Sequence, residues 1–152
     1  MRPLLAFLLL LPLLSGAQFS EHIVAGDLKG GYQVVAADVN HDGKLDLIAV
    51  ASGQTDLLWF ENPTWQRHII AGNLKGMINL AYWNNQIVLA SDFSSDPRKS
   101  IGLVTLLVPD GDPRQPWHTR EIDRLTTSHR LRWADIDGNG KKVLVNAALA
   151  GQ

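Results

Sequence analysis

The chain has 152 residues with a formal net charge of −1, from 14 Lys and Arg against 15 Asp and Glu, and 45% of its residues are hydrophobic. It has no cysteine, which excludes a disulfide framework, a thiolate nucleophile and a cysteine-based zinc site. The basic residues are scattered and nearly balanced by acids, so no electrostatic footprint for nucleic acid or an anionic membrane is present.

The N-terminus carries Arg2, an apolar run from Leu4 to Leu14 and the small residues Ser15, Gly16 and Ala17. That order predicts a secretory signal peptide over 1–17 and a secreted or periplasmic mature protein starting near Gln18. The run is about half the length a membrane-spanning helix needs, and no later stretch is long and apolar enough to span a bilayer. Phe19 to Val24 is expected to form the outer-edge strand of the last blade, in the part of the array beyond this chain.

Beyond it the apolar runs are short, rich in Val, Ile, Leu and aromatics, and punctuated by Gly, Asn, Asp and Pro, a pattern of strands. Strands are predicted near 33–38, 46–52, 56–60 and 65–70, then near 78–83, 86–91, 101–108 and 117–122, and last near 130–135 and 142–149. The stretch Ile101 to Val108 is assigned to a strand because Gly102, Val104 and Thr105 are poor helix formers. Asn84-Asn85 is expected to close a tight hairpin turn.

Three segments overlay. Phe19, Trp65 and Trp117 open them, 46 and then 52 residues apart, with His22, His68 and Glu121 three or four places on. Such a period is that of four-stranded blades, and the fold class is all-β: an incomplete β-propeller of about two and a half blades over 18–152, divided near 25–70, 71–122 and 123–152. A propeller removes its edges by closing with about four to eight blades, so the chain is expected to be part of a larger protein whose remaining blades are partners of these. Trp65 and Trp117 are expected to pack between blades, and His22 and His68 to cap a repeated outer strand.

The segment DVNHDGKLD places Asp38, Asn40, Asp42 and Asp46 at loop positions one, three, five and nine, with Gly43 at six turning the Lys44 carbonyl inward. Three carboxylates, an amide oxygen, a carbonyl and water supply the six to eight hard oxygens that Ca2+ takes. An EF-hand loop would end in Glu at position twelve between helices; here that position is Ala49, followed by a strand. The third unit repeats the pattern in DIDGNGKKV, with Asp135, Asp137 and Asn139, but Val143 replaces the acid at position nine, and a weaker site is expected.

This loop, with the strand LIAV after it, resembles those of the FG-GAP and VCBS repeat families, secreted or cell-surface propeller blades whose loops bind calcium. The resemblance implies a structural Ca2+ and a binding or scaffold role toward carbohydrate or another extracellular protein. Residues 126–151 are also similar to the propeller domain of aldos-2-ulose dehydratase, a carbohydrate lyase. On that alternative His129 is a candidate base and Arg130 a candidate oxyanion partner. Aligning the units pairs Tyr32, Ile78 and His129, and beside them Gln33, Asn79 and Arg130; the second trio is expected to form a polar ring able to hold a sugar.

Overall fold

The structure, a computed structural model, describes residues 19–150. The predicted signal peptide, 1–17, lies outside the described residues. Ten strands form three antiparallel sheets, and no helix is present among the described residues. The first sheet runs β1 (Gly31–Ala37), β2 (Asp46–Ala51), β3 (Leu57–Glu61) and β4 (Gln66–Ala71) in simple up-and-down order. The second repeats it with β5 (Asn79–Trp83), β6 (Gln86–Ser91), β7 (Leu103–Val108) and β8 (His118–Arg124). The third is the hairpin of β9 (Ser128–Ala134) and β10 (Val143–Ala148). The three sheets are blade-like units of one repeating array, and the array is not closed.

Turn chemistry fixes the hairpins. Asn84 and Asn85 both take positive φ, 50° and 57°, and join paired Trp83 and Gln86. Two consecutive left-handed residues give a turn whose twist matches that of the strands, and Asn tolerates this better than most residues. Gly102, at φ 67°, opens β7 so close to the chain at Leu125 that a Cβ there would lie 1.8 Å from the Leu125 carbonyl oxygen.

Alternation along the strands gives each sheet two apolar faces. Ile48, Val50 and Trp59 of the first sheet meet Leu80, Ile87 and Leu89 of the second, with Trp117 beneath them. Ala81, Val88 and Val104 on the other face of the second sheet meet Leu131 and Leu144 of the third. Trp117 thus packs between sheets as its repeat phase predicts. Trp65 lies on the corresponding outer face of the first sheet, against Ala49, Leu58 and Phe60.

That outer face has no sheet on it. Val24, Ala25 and Leu28 pack there, held by Asp27, whose carboxylate takes two bonds from Arg67 at 2.9 and 2.5 Å. Phe19 to Val24 forms no strand; the blade edge it is expected to join is not among the described residues. His22 therefore does not match His68: it lines the apolar groove of that face, while His68 sits in β4 and bonds Glu61 Oε2 at 2.8 Å.

A polar contact locks each sheet to the next. The Gln33 amide oxygen accepts from the Leu80 N–H at 2.7 Å, and its nitrogen donates to the Leu80 carbonyl at 3.1 Å. One sheet on, the Asn79 oxygen accepts from the Leu131 N–H at 2.7 Å, and its nitrogen donates back to Gln33 at 2.8 Å. Each first strand thus reaches the residue that follows its own equivalent in the next sheet. Gln33, Asn79 and Arg130 are the equivalent positions, as the alignment of the units has them.

Candidate metal-binding loops and inner-strand residues

The loop from Asp38 to Asp46 joins β1 to β2. Asp38 closes it by accepting from the N–H groups of Asp42 and Gly43, one on each carboxylate oxygen, both at 3.0 Å. The Asn40 side-chain oxygen shares the Asp42 N–H at 3.1 Å, so the oxygens of positions one and three lie on one side of the turn. His41 and Gly43 make the bend with φ of 60° and 83°. The glycine carries the more positive value, where a side chain would add strain.

The loop from Asp135 to Val143 is its twin. Asp135 accepts from Asn139 at 3.1 Å and Gly140 at 2.8 Å, Lys141 donates to Asn139 at 2.9 Å where Lys44 donates to Asp42 at 2.9 Å, and Gly138 and Gly140 take φ of 66° and 80°. Two stretches 97 residues apart in the sequence therefore adopt one hydrogen-bonded form. They differ at the ninth position. Asp46 is wholly buried, and its two oxygens accept from the N–H groups of Val39 at 3.0 Å and Asn62 at 2.8 Å, tying the loop to the end of β3. Val143 makes no such bond, and Ile136, matching buried Val39, is 66% exposed.

Among the described residues, no three or more Asp, Glu, His or Cys side chains are gathered as a ligand set. The Asp42 carboxylate is turned outward, 3.6 Å from the Lys44 ammonium. Its pKa is held below the ordinary carboxylate value chiefly by the Lys44 N–H, with the Asn40 amide and the Lys44 charge adding to it. The donor chemistry still suits a hard cation. A carboxylate offers about four lone-pair directions, and Asp38 and Asp46 each use two on backbone N–H groups.

Two neighbours steady this loop that the loop motif did not reveal. Tyr82, from the second sheet, donates to the Asp38 carbonyl at 3.3 Å; burial, then the Asp38 and Asp46 charges, raises its pKa. Glu61 accepts from the Asn40 amide at 2.9 Å, meets His68 at 2.8 Å and forms an ion pair with Arg114 of the β7–β8 connection. Its pKa falls to about 2, with the Arg114 contact the largest cause. An acid ending one strand and an arginine in a distant loop share no spacing rule, so only the folded proximity reveals them.

At the starts of the inner strands, the predicted polar ring is not formed. Asn79 is buried and, like Gln33, is spent on the contact between sheets, and Ile78 belongs to the core. Arg130 alone of its trio remains exposed. Tyr32, His129 and Arg130 do converge: the Tyr32 hydroxyl lies 3.0 Å from His129 Nε2 and 3.4 Å from an Arg130 nitrogen. Burial, then the Arg130 charge, lowers the His129 pKa, so the ring accepts the Tyr32 hydroxyl proton as neutral imidazole at neutral pH.

Two four-stranded antiparallel sheets and a hairpin stacked face to face, the first sheet and the hairpin each carrying an acidic loop between their first two strands, are the arrangement of a propeller-type repeat array. Residues 30–62, which hold β1, the acidic loop, β2 and β3, match the family model of the FG-GAP repeat. No curated protein and no solved structure matches the chain.

Proposed function

We propose that the chain is a secreted, calcium-binding repeat module that serves as a binding or scaffold part of a larger propeller. Asp38, Asn40, Asp42 and Asp46 hold the ion through side chains and Lys44 through its carbonyl; Asp135, Asp137 and Asn139 form a second, weaker site. The observation that carries the reading is the shared form of the two loops, each closed by its first Asp on the N–H groups of positions five and six. That form draws the first carboxylate over the turn in both loops, and its recurrence in two loops supports a shared role for them. Secretion is supported by the order of charge, apolar run and small residues before Gln18. Membership of a larger array is supported by the outer faces, where Val34, Val143 and Val145 stand exposed.

Calcium bound to the folded form alone adds about 2.7 kcal/mol of stability at a hundredfold excess over its Kd, useful to a domain without disulfides. Calorimetric titration of the wild type and of Asp42→Ala tests the site. The expected result is a saturable calcium heat that the variant loses; equal heats in both contradict it.

The convergence of Tyr32, His129 and Arg130 favours a second reading, part of a carbohydrate-active lyase. A neutral imidazole takes a proton, and a guanidinium steadies the oxyanion that results. Turnover of a keto-sugar that disappears in His129→Gln supports it; wild-type protein without turnover removes it.

A further inference from the structure

We infer that the groove between β1, β5 and β9 binds a small carboxylated sugar, a uronic acid, through Arg132 and Lys142. The groove encloses about 310 Å³ and is lined by Gln33, Tyr82, Trp133, Arg132 and Lys142, among others, with no acidic side chain in its wall. Small-molecule sites begin near that size, which suits one sugar ring.

The hydrogen-bonding capacity of the wall points to an anion. Gln33 is spent on Leu80 and Asn79, and the Tyr82 hydroxyl on Asp38. What remains free for a ligand is cationic: the Arg132 guanidinium, which bonds only the carbonyl of Leu131 at 2.9 Å, and the Lys142 ammonium, the Trp133 indole N–H being buried. Arg67, Arg98, Arg114 and Arg124 each hold a carboxylate, whereas Arg120 and, as alternate residues on one face of β9, Arg130 and Arg132 hold none among the described residues. Arg132 is the guanidinium of the groove wall, while Arg130, two residues back on the same face of β9, is engaged by the Tyr32 hydroxyl outside it. A planar guanidinium matches a carboxylate with two parallel bonds.

The aromatic wall points to a sugar. Trp133 stacks on Trp83 with ring centroids 5.4 Å apart, and Lys142 sits 5.8 Å from the centre of the Trp83 ring. The tilted contact, 46° between the ring planes, holds Trp133 against Trp83, whose ring also takes the Lys142 ammonium. A sugar ring bearing a carboxylate presents the same pair of surfaces. The inference does not depend on calcium in the acidic loops.

Isothermal titration of the full chain with D-glucuronate, D-glucose and inorganic phosphate tests this, in calcium-containing buffer throughout. Charge-assisted hydrogen bonds contribute about 1.5–3 kcal/mol, so Arg132→Gln and Lys142→Gln are each expected to weaken glucuronate binding about tenfold or more. Lys75→Gln, whose ammonium is outside the groove wall, leaves it unchanged. All three substitutions are at solvent-facing side chains, and unchanged melting temperatures confirm that a lost signal is not lost folding. The inference is overturned if glucuronate gives no heat, if glucose or phosphate binds as tightly, or if the Arg132→Gln, Lys142→Gln double variant binds like the wild type. Loss of calcium binding in Asp42→Ala with glucuronate binding retained separates this site from the loop reading.

Discussion

Replacing Asn79 with Ala tests whether polar contacts between sheets hold the array together. Asn79 is 2% exposed, its oxygen is bonded to the Leu131 N–H, and its nitrogen to Gln33. Leu131 is fully buried, so the substitution leaves its N–H without a partner or water, at about 1–3 kcal/mol, and removes a second hydrogen bond worth about 1 kcal/mol. The expected loss is therefore about 2–4 kcal/mol, a large share of the stability of an ordinary domain. Gln33→Ala releases both the N–H and the carbonyl of buried Leu80 and the Asn79 amide, and costs about 1–3 kcal/mol. Because the two side chains touch, the double variant loses less than the sum of the single losses. Urea unfolding gives the free energies, and amide hydrogen exchange at Leu131 gives a local reading. A loss below about 0.5 kcal/mol in Asn79→Ala, or unchanged Leu131 exchange, would refute the reasoning.

Glu61→Gln tests the hub behind the acidic loop. Lowering its pKa from an ordinary value near 4.5 to about 2 corresponds to about 3 kcal/mol at most; Arg114 is 44% exposed, and solvent screening reduces this to about 1–2 kcal/mol. The folded-state pKa is depressed, so the stabilisation is complete above about pH 4.5 and fades as pH falls toward about 2. Urea midpoints of wild type and variant are expected to converge over that window, and a gap independent of pH contradicts the assignment. Gly102→Ala drives a methyl into the Leu125 carbonyl at a positive φ, and thermal unfolding is expected to show a loss of about 3 kcal/mol or more.

Much of this architecture was legible because its signals are local. Strand periods, the Asn84-Asn85 turn and the alternating acids with Gly43 each sit within a few residues, and each appears in the structure at its expected place. The repeat phase of Trp117 carried through, since it packs between the first and second sheets, while Trp65, on the outer face of the first sheet, has no sheet opposite it among the described residues. What escaped depends on long-range proximity. Gln33 and Asn79 read as a polar ring from composition alone, yet their amides are the right length to bond the backbone of the next sheet. His22 matched His68 in spacing but not in setting, because β4 has β3 beside it and the segment around His22 has no strand partner. Glu61, Tyr82 and Asn62 support the loop from other strands and sheets, where no motif could register them.

The account rests most on the loop between β1 and β2, and amide NMR during calcium titration reads it directly. Gly43 donates to the carboxylate of Asp38, so ion binding at that carboxylate polarises the bond and moves the Gly43 resonance in a saturable way, with Gly140 responding only at higher calcium. A Gly43 signal that stays fixed while calcium rises would contradict the assignment of this loop as a metal site.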